Sequence, residues 1–190
     1  MKILLHICCS VCTTGPFEEL EAEGHDVTGY FYNPNIHPLI EFRRRLKSVK
    51  VLQERMPVEV IYEEAYGLQH FLEEVDWRSG RRCRDCYRLR LERTAEVAAR
   101  EGAEAITTTL FTSPHQDHEL VAEVGRKCAE RLGIDFLYRD WRDMAEGNRE
   151  RARDLGLYLQ QYCGCMFSEY DRFKDTGRHL YKGSGPAGED

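Results

Sequence analysis

Apolar positions fall along this chain in two rhythms. Ile3, Leu4, Leu5 and Ile7 make a short, nearly unbroken run, the pattern of a strand buried on both faces. Short runs of the same kind recur over 27–32, 58–62, 105–109 and 135–138. Between them the spacing is helical. Residues 38–56 carry Leu39, Phe42, Leu46, Val49, Val51 and Leu52 as an apolar face behind Pro38. Helices are also predicted over 16–23, 67–75, 83–100 and 114–132, and around 148–155 and 168–174. Gly24, Gly102 and Gly133 mark helix ends. Ser113 and Pro114 read as N-cap and first helical residue.

Strands alternating with helices from end to end predict an α/β fold. The sheet should be mostly parallel and Rossmann-like (HUP/PP-loop-like), with helices on both faces. The 190 residues suffice for one such domain, read as 1–182, with 183–190 as a disordered tail. No run approaches the length of a membrane span and no signal peptide is recognisable. A cytoplasmic protein without a membrane partner is therefore expected.

In open α/β sheets, ligands sit beyond the carboxyl ends of the strands. Here the first strand delivers Cys8, Cys9 and Cys12 to that position. Eight cysteines are many for a reducing compartment, where structural disulfides are rare. Metal binding or redox chemistry is the better reading. Cys83-Arg84-Asp85-Cys86 falls at a predicted helix start, where positions i and i+3 share a face. It could be thioredoxin-like, half of a zinc site or half of an iron–sulfur site. Adjacent Cys8 and Cys9 point apart in an extended strand, so both reach one centre only if the backbone turns there. Together with Cys83 and Cys86 they meet the thiolate count of a [4Fe–4S] cluster or of structural zinc. Cys163-Gly164-Cys165 would close a small, strained disulfide ring of the kind that is easily reduced; it suits a reversible two-electron switch, or contributes metal ligands. Cys128 falls with Val121 and Val124 on an apolar helix face and reads as core. Cys12 is a ligand, part of a second metal site, or packing.

The net charge of −6 argues against a generally basic nucleic-acid binder. The distribution changes that picture, because 21 of the 27 basic residues are arginine. Arg43, Arg44, Arg45 and Lys47 form one group; Arg78, Arg81, Arg82, Arg84, Arg88, Arg90 and Arg93 form another around the cysteines. The planar guanidinium suits phosphate, so the second group is expected to meet RNA. His115 and His118, beside Asp117, follow the fourth strand near the expected site, whereas His6 reads as a satisfied core residue.

Taken together, these motifs resemble the QueH-type epoxyqueuosine reductases. The likeness rests on Leu5-His6-Ile7-Cys8-Cys9-Ser10-Val11-Cys12, the segment from Arg82 through Cys83, Cys86 and Tyr87 to Arg90, Thr107-Thr108-Thr109-Leu110 with Ser113-Pro114-His115, and Tyr162-Cys163-Gly164-Cys165. The resemblance implies two-electron reduction of the epoxide of epoxyqueuosine in tRNA to queuosine, with release of water. It implies a [4Fe–4S] cluster on Cys8, Cys9, Cys83 and Cys86 and a redox pair at Cys163 and Cys165. A second, mononuclear iron would draw on Cys12, Asp85 or Asp117, and no cobalamin is expected. Substrate contacts would fall on His115, Arg82, Arg84 and Tyr87, with Tyr87, Phe111 or Tyr162 stacking on the splayed base. An electron donor such as a ferredoxin or flavodoxin is also implied. Two other readings compete. An ATP-dependent tRNA sulfur-transfer enzyme would need a glycine-rich pyrophosphate loop where Cys8-Cys9-Ser10 stands. A zinc-stabilised RNA-binding module would use the cysteines structurally.

Overall fold

The computed structural model describes residues 1–176. The tail expected over 183–190 and the domain end at 182 lie outside the described residues. Five strands form one sheet: β1 (Lys2–His6), β2 (Asp26–Phe31), β3 (Glu59–Tyr62), β4 (Ala105–Thr108) and β5 (Asp135–Phe136). Their order is β3-β2-β1-β4-β5 and every neighbouring pair is parallel. Seven α-helices connect and flank them: α1 (Thr14–Ala22), α2 (Leu39–Gln53), α3 (Leu68–Glu74), α4 (Arg82–Glu101), α5 (His118–Glu130), α6 (Ala145–Asp154) and α7 (Met166–Phe173). This is the α/β, Rossmann-like architecture that the pattern of apolar runs predicts.

The apolar run explains the centre of the sheet. Ile3, Leu4 and Leu5 are buried because β1 has β2 on one side and β4 on the other, with helices covering both faces. Leu5 lies opposite Gly29 and Thr107. A Cβ at Gly29 would meet the Ile7 side chain at 2.4 Å, so a glycine there lets the chain leave β1 close over its neighbour. From β1 the chain builds outward through β2 to β3, then returns through α4 to β4 and β5 on the other side. That reversal opens a crevice past the ends of β1 and β4, where such sheets bind ligands.

One predicted boundary moves. Ser113-Pro114 does not open the helix after β4. Thr109–Thr112 form a single 3-10 turn, and α5 starts at His118, where the Asp117 carboxylate accepts from the Leu120 N–H at 3.0 Å. An aspartate at the true N-cap satisfies an orphan donor that Ser113 would have served four residues too early.

Candidate metal and redox site

The chain turns immediately after β1, and this turn solves the problem of two adjacent cysteines. The Sγ atoms of Cys8 and Cys9 stand 3.8 Å apart. Together with Cys12, the three thiols lie within 4.8 Å of one another and could hold a metal. Tetrahedral thiolates on one small ion sit roughly 3.8 Å apart, so this is ligand spacing. Cys12, ambiguous in sequence, thus joins the first pair. Donors converge on the sulfurs: Cys12 N–H to Cys9 at 3.2 Å, Gln160 Nε2 to Cys9 at 2.8 Å, and the Thr109 hydroxyl to Cys8 at 3.2 Å. Hydrogen bonds linking the three thiols pull their pKa values apart. The Cys12 thiol is held well below its ordinary value, Cys8 is pushed up to about 11, and burial holds Cys9 well above the usual range.

Across the crevice, α4 begins at Arg82, so Cys83 and Cys86 occupy its first turn as expected. Cys83 is exposed and Cys86 buried. Burial raises the Cys86 thiol to about 12. One turn on, Arg90 is only 1% exposed. Its Nε donates to the Cys86 carbonyl at 3.2 Å, but neither Nη atom has a partner. The groups that act on its charge are the Cys86 and Cys163 thiols, the Tyr87 phenol and the Cys8 thiol.

The third thiol pair sits on a loop held from beneath. Arg45 is 2% exposed and donates to the carbonyls of Tyr162 and Cys163 at 2.8 and 2.9 Å. Its Nε pairs with Glu41 at 2.7 Å, and Glu41 in turn accepts from the Tyr158 hydroxyl at 2.6 Å. Arg45 therefore positions the loop and does not reach solvent, although it falls in a run of three arginines. Gly164 has φ +136°, and a Cβ there would press on Ile36, Asn35 and the Arg45 guanidinium at 3.1–3.3 Å. Only glycine fits between these two cysteines without strain. The Cys165 sulfur caps α7, accepting from the Ser168 N–H at 3.4 Å.

All of this surrounds one cavity of about 830 Å³, with Cys8, Cys12, Cys83, Cys86, Cys163 and Cys165 in its wall. Arg82, Tyr87 and His115 also line it. Other expected site residues are engaged elsewhere. Arg84 forks onto Glu123 at 2.9 and 3.1 Å and does not line the cavity. Asp85 accepts from the Asp76 N–H, and Asp117 caps α5; neither lines the cavity. Phe111 cannot stack on a base, because it is 0% exposed and packs against His118, Phe136 and Tyr138. His118 belongs to that cluster too, and its Nε2 donates to the Ser113 carbonyl at 3.2 Å. Cys128 is buried core, as expected.

His6 lies under the site, between Thr108 Oγ1 at 2.9 Å and the Tyr32 carbonyl at 3.2 Å. Burial, reinforced by the Arg90 charge, lowers its pKa to about 4, and burial does the same to His37. Both are neutral in the fold and protonate more readily when the chain unfolds. Their contribution to stability is therefore complete above the unfolded value of 6.5 and drains as pH falls toward 4. Melting measured across this window is expected to lose up to about 1.4 kcal/mol per pH unit for each histidine. His6→Gln should flatten the slope; an unchanged slope would mean that His6 does not titrate on unfolding.

Comparison with known proteins gives this site a family. The family described as "Epoxyqueuosine reductase QueH" matches residues 3–171. A protein of that name from Dehalococcoides mccartyi is 40% identical over 172 residues, covering 90% of this chain and 94% of the relative. Its namesake from Thermotoga maritima is 32% identical, covering 90% and 91%. The Helicobacter pylori protein is 35% identical over 87% of this chain, which spans 49% of that longer relative. The chain belongs to the QueH family of epoxyqueuosine reductases, and is an oxidoreductase.

Proposed function

We propose that this enzyme removes the epoxide oxygen of epoxyqueuosine in tRNA, holding a [4Fe–4S] cluster on Cys8, Cys9, Cys83 and Cys86 and storing two electrons in Cys163 and Cys165. The observation that carries this reading is the meeting of thiols from three distant segments in one cavity wall; Cys9 lies just behind that wall, 3.8 Å from the Cys8 sulfur. The residues fit such a group. Soft sulfur donors suit iron–sulfur clusters. The two unpartnered Nη atoms of buried Arg90 call for an anionic neighbour, which a thiolate-ligated cluster provides. The N–H and O–H groups aimed at Cys8 and Cys9 suit thiolates better than thiols. When bound, the cluster supplies electrons one at a time. A second, mononuclear iron would draw on Cys12.

The chain's own thiols complete the balance. The epoxide loses its oxygen as water and becomes an alkene, which takes two electrons and two protons. Oxidation of the Cys163 and Cys165 thiols to a disulfide yields both. Desolvation pushes the Cys163 thiol up although the residue is exposed, keeping its proton available to the departing oxygen. Gln116 donates toward this sulfur at 3.5 Å, and Arg45 fixes its carbonyl. A cavity of about 830 Å³ has room for a splayed nucleoside. A ferredoxin or flavodoxin would restore the dithiol. No helix among the described residues is long and apolar enough to cross a membrane.

Anaerobic reconstitution with iron and sulfide, followed by an assay on epoxyqueuosine-containing tRNA, tests this function. Queuosine should accumulate; its absence with intact, loaded protein would refute the reading. Arg90 offers a test that needs no substrate. Arg90→Met removes a buried charge with no carboxylate partner among the described residues, so the metal-free variant should melt a few degrees higher than the metal-free wild type. Once loaded, the variant should have a lower reduction potential, because a positive charge favours the reduced cluster. A metal-free variant that melts lower would assign Arg90 to packing alone.

A further inference from the structure

The segment between α3 and α4 carries an aromatic surface that the site's chemistry does not use. Trp77 is 43% exposed, and its ring lies nearly parallel to that of Phe167, with centroids 6.3 Å apart and planes at 19°. Phe167 itself lines the thiol cavity. The Arg78 guanidinium sits 4.7 Å from the Trp77 ring and has no carboxylate partner among the described residues, and Arg82 sits 5.2 Å from the Phe167 ring. Arg81 is exposed, with only a distant contact to Asp76 at 3.9 Å. The remaining cations of the segment are spoken for: Arg82, Arg84, Arg88 and Arg93 are bound by Asp171, Glu123, Glu74, Glu92, Glu63 and Glu96, and Arg90 is buried. Positive charge left free in this part of the chain, on Arg78 and Arg81, is thus concentrated beside an exposed indole that backs onto a cavity-lining ring.

We propose that Trp77, backed by Phe167, is a stacking ledge for an unpaired RNA base next to the one that enters the cavity, with Arg78 and Arg81 taking the adjoining phosphates. Aromatic faces flanked by arginines recognise single-stranded nucleic acid by this division of labour: the ring takes the base and the guanidinium the backbone. A chain of net charge −6 needs such a local cationic zone to hold RNA. The proposal rests on the reading that the substrate nucleoside lies within RNA. It locates the RNA surface on 77–82 and α7, in place of the paired arginines further along α4.

Tryptophan fluorescence gives a direct test. The chain has two tryptophans, and Trp141 is only 1% exposed. Titration with a short RNA hairpin bearing an unpaired loop should quench emission, and a fully paired duplex should quench it far less. Trp141→Phe should keep the quenching and Trp77→Phe should abolish it. Trp77→Ala should weaken hairpin affinity roughly five- to a hundredfold, the span of one lost base stack, and the loss should be equal at low and high salt. Arg78→Ala should instead lower the slope of log affinity against log salt by about one. With tRNA substrate, the Trp77→Ala defect should appear in KM. If Trp77→Ala binds the hairpin and turns over tRNA like wild type, the ledge is wrong while the reductase reading stands. If wild type neither binds RNA nor reduces epoxyqueuosine in tRNA, both fail. Quenching by an acidic protein but not by the hairpin would make this a protein-docking surface and overturn the proposal.

Discussion

Cys83→Ala is expected to abolish iron loading and turnover together. Cys83 is exposed at the first turn of α4, and α4 is held by the packing of Leu89, Leu91, Ala95 and Ala98 further along. Its loss should therefore spare the fold, leaving the circular dichroism spectrum unchanged. The cluster is another matter. Three remaining thiolates leave one iron without a protein ligand, and no histidine or carboxylate lies close enough to Cys8, Cys9 and Cys12 to join them among the described residues. Iron after anaerobic reconstitution should fall from about four per chain to below one, with activity at background. A variant that loads iron and turns over as wild type would remove Cys83 from the ligand set.

Cys165→Ser separates the electron store from the metal. Serine keeps an oxygen where the Cys165 sulfur accepts from the Ser168 N–H, so the start of α7 is preserved. The variant should retain the visible absorption of the cluster, because Cys165 is not among its four proposed ligands. Its kcat should fall at least about a hundredfold, as expected when a covalent redox partner is removed. Turnover close to wild type would show that the electrons bypass this pair.

Much of the site is legible in the sequence because its thiols fall at element ends. An apolar run ending in Cys8-Cys9 places sulfur at the edge of a parallel sheet, and a Cys-x-x-Cys followed by a long amphipathic stretch places two more on a helix start. What fails is whatever depends on partners far along the chain. Arg45 looks like one of three solvated arginines, yet it is buried beneath the carbonyls of Tyr162 and Cys163, more than a hundred residues away. The arginines of α4 look unopposed because Glu63, Glu123 and Asp171, which bind them, come from other elements. Phe111 follows a strand and resembles a loop aromatic, but the 3-10 turn folds it inward against Phe136 and Tyr138. Ser113-Pro114 has the chemistry of a helix start, and the chain uses Asp117 instead. Trp77 carries no signal of its own, because nothing in its local sequence shows that Phe167, ninety residues on, backs its ring.

The central claim is that thiols from the β1 turn, the start of α4 and the loop before α7 build an iron–sulfur redox centre. Iron and acid-labile sulfide counted on protein purified without oxygen, together with its visible spectrum, test it most directly. The account predicts brown protein with about four sulfides and about four irons per chain, or about five irons if the second site fills. Colourless protein carrying a single zinc would contradict it.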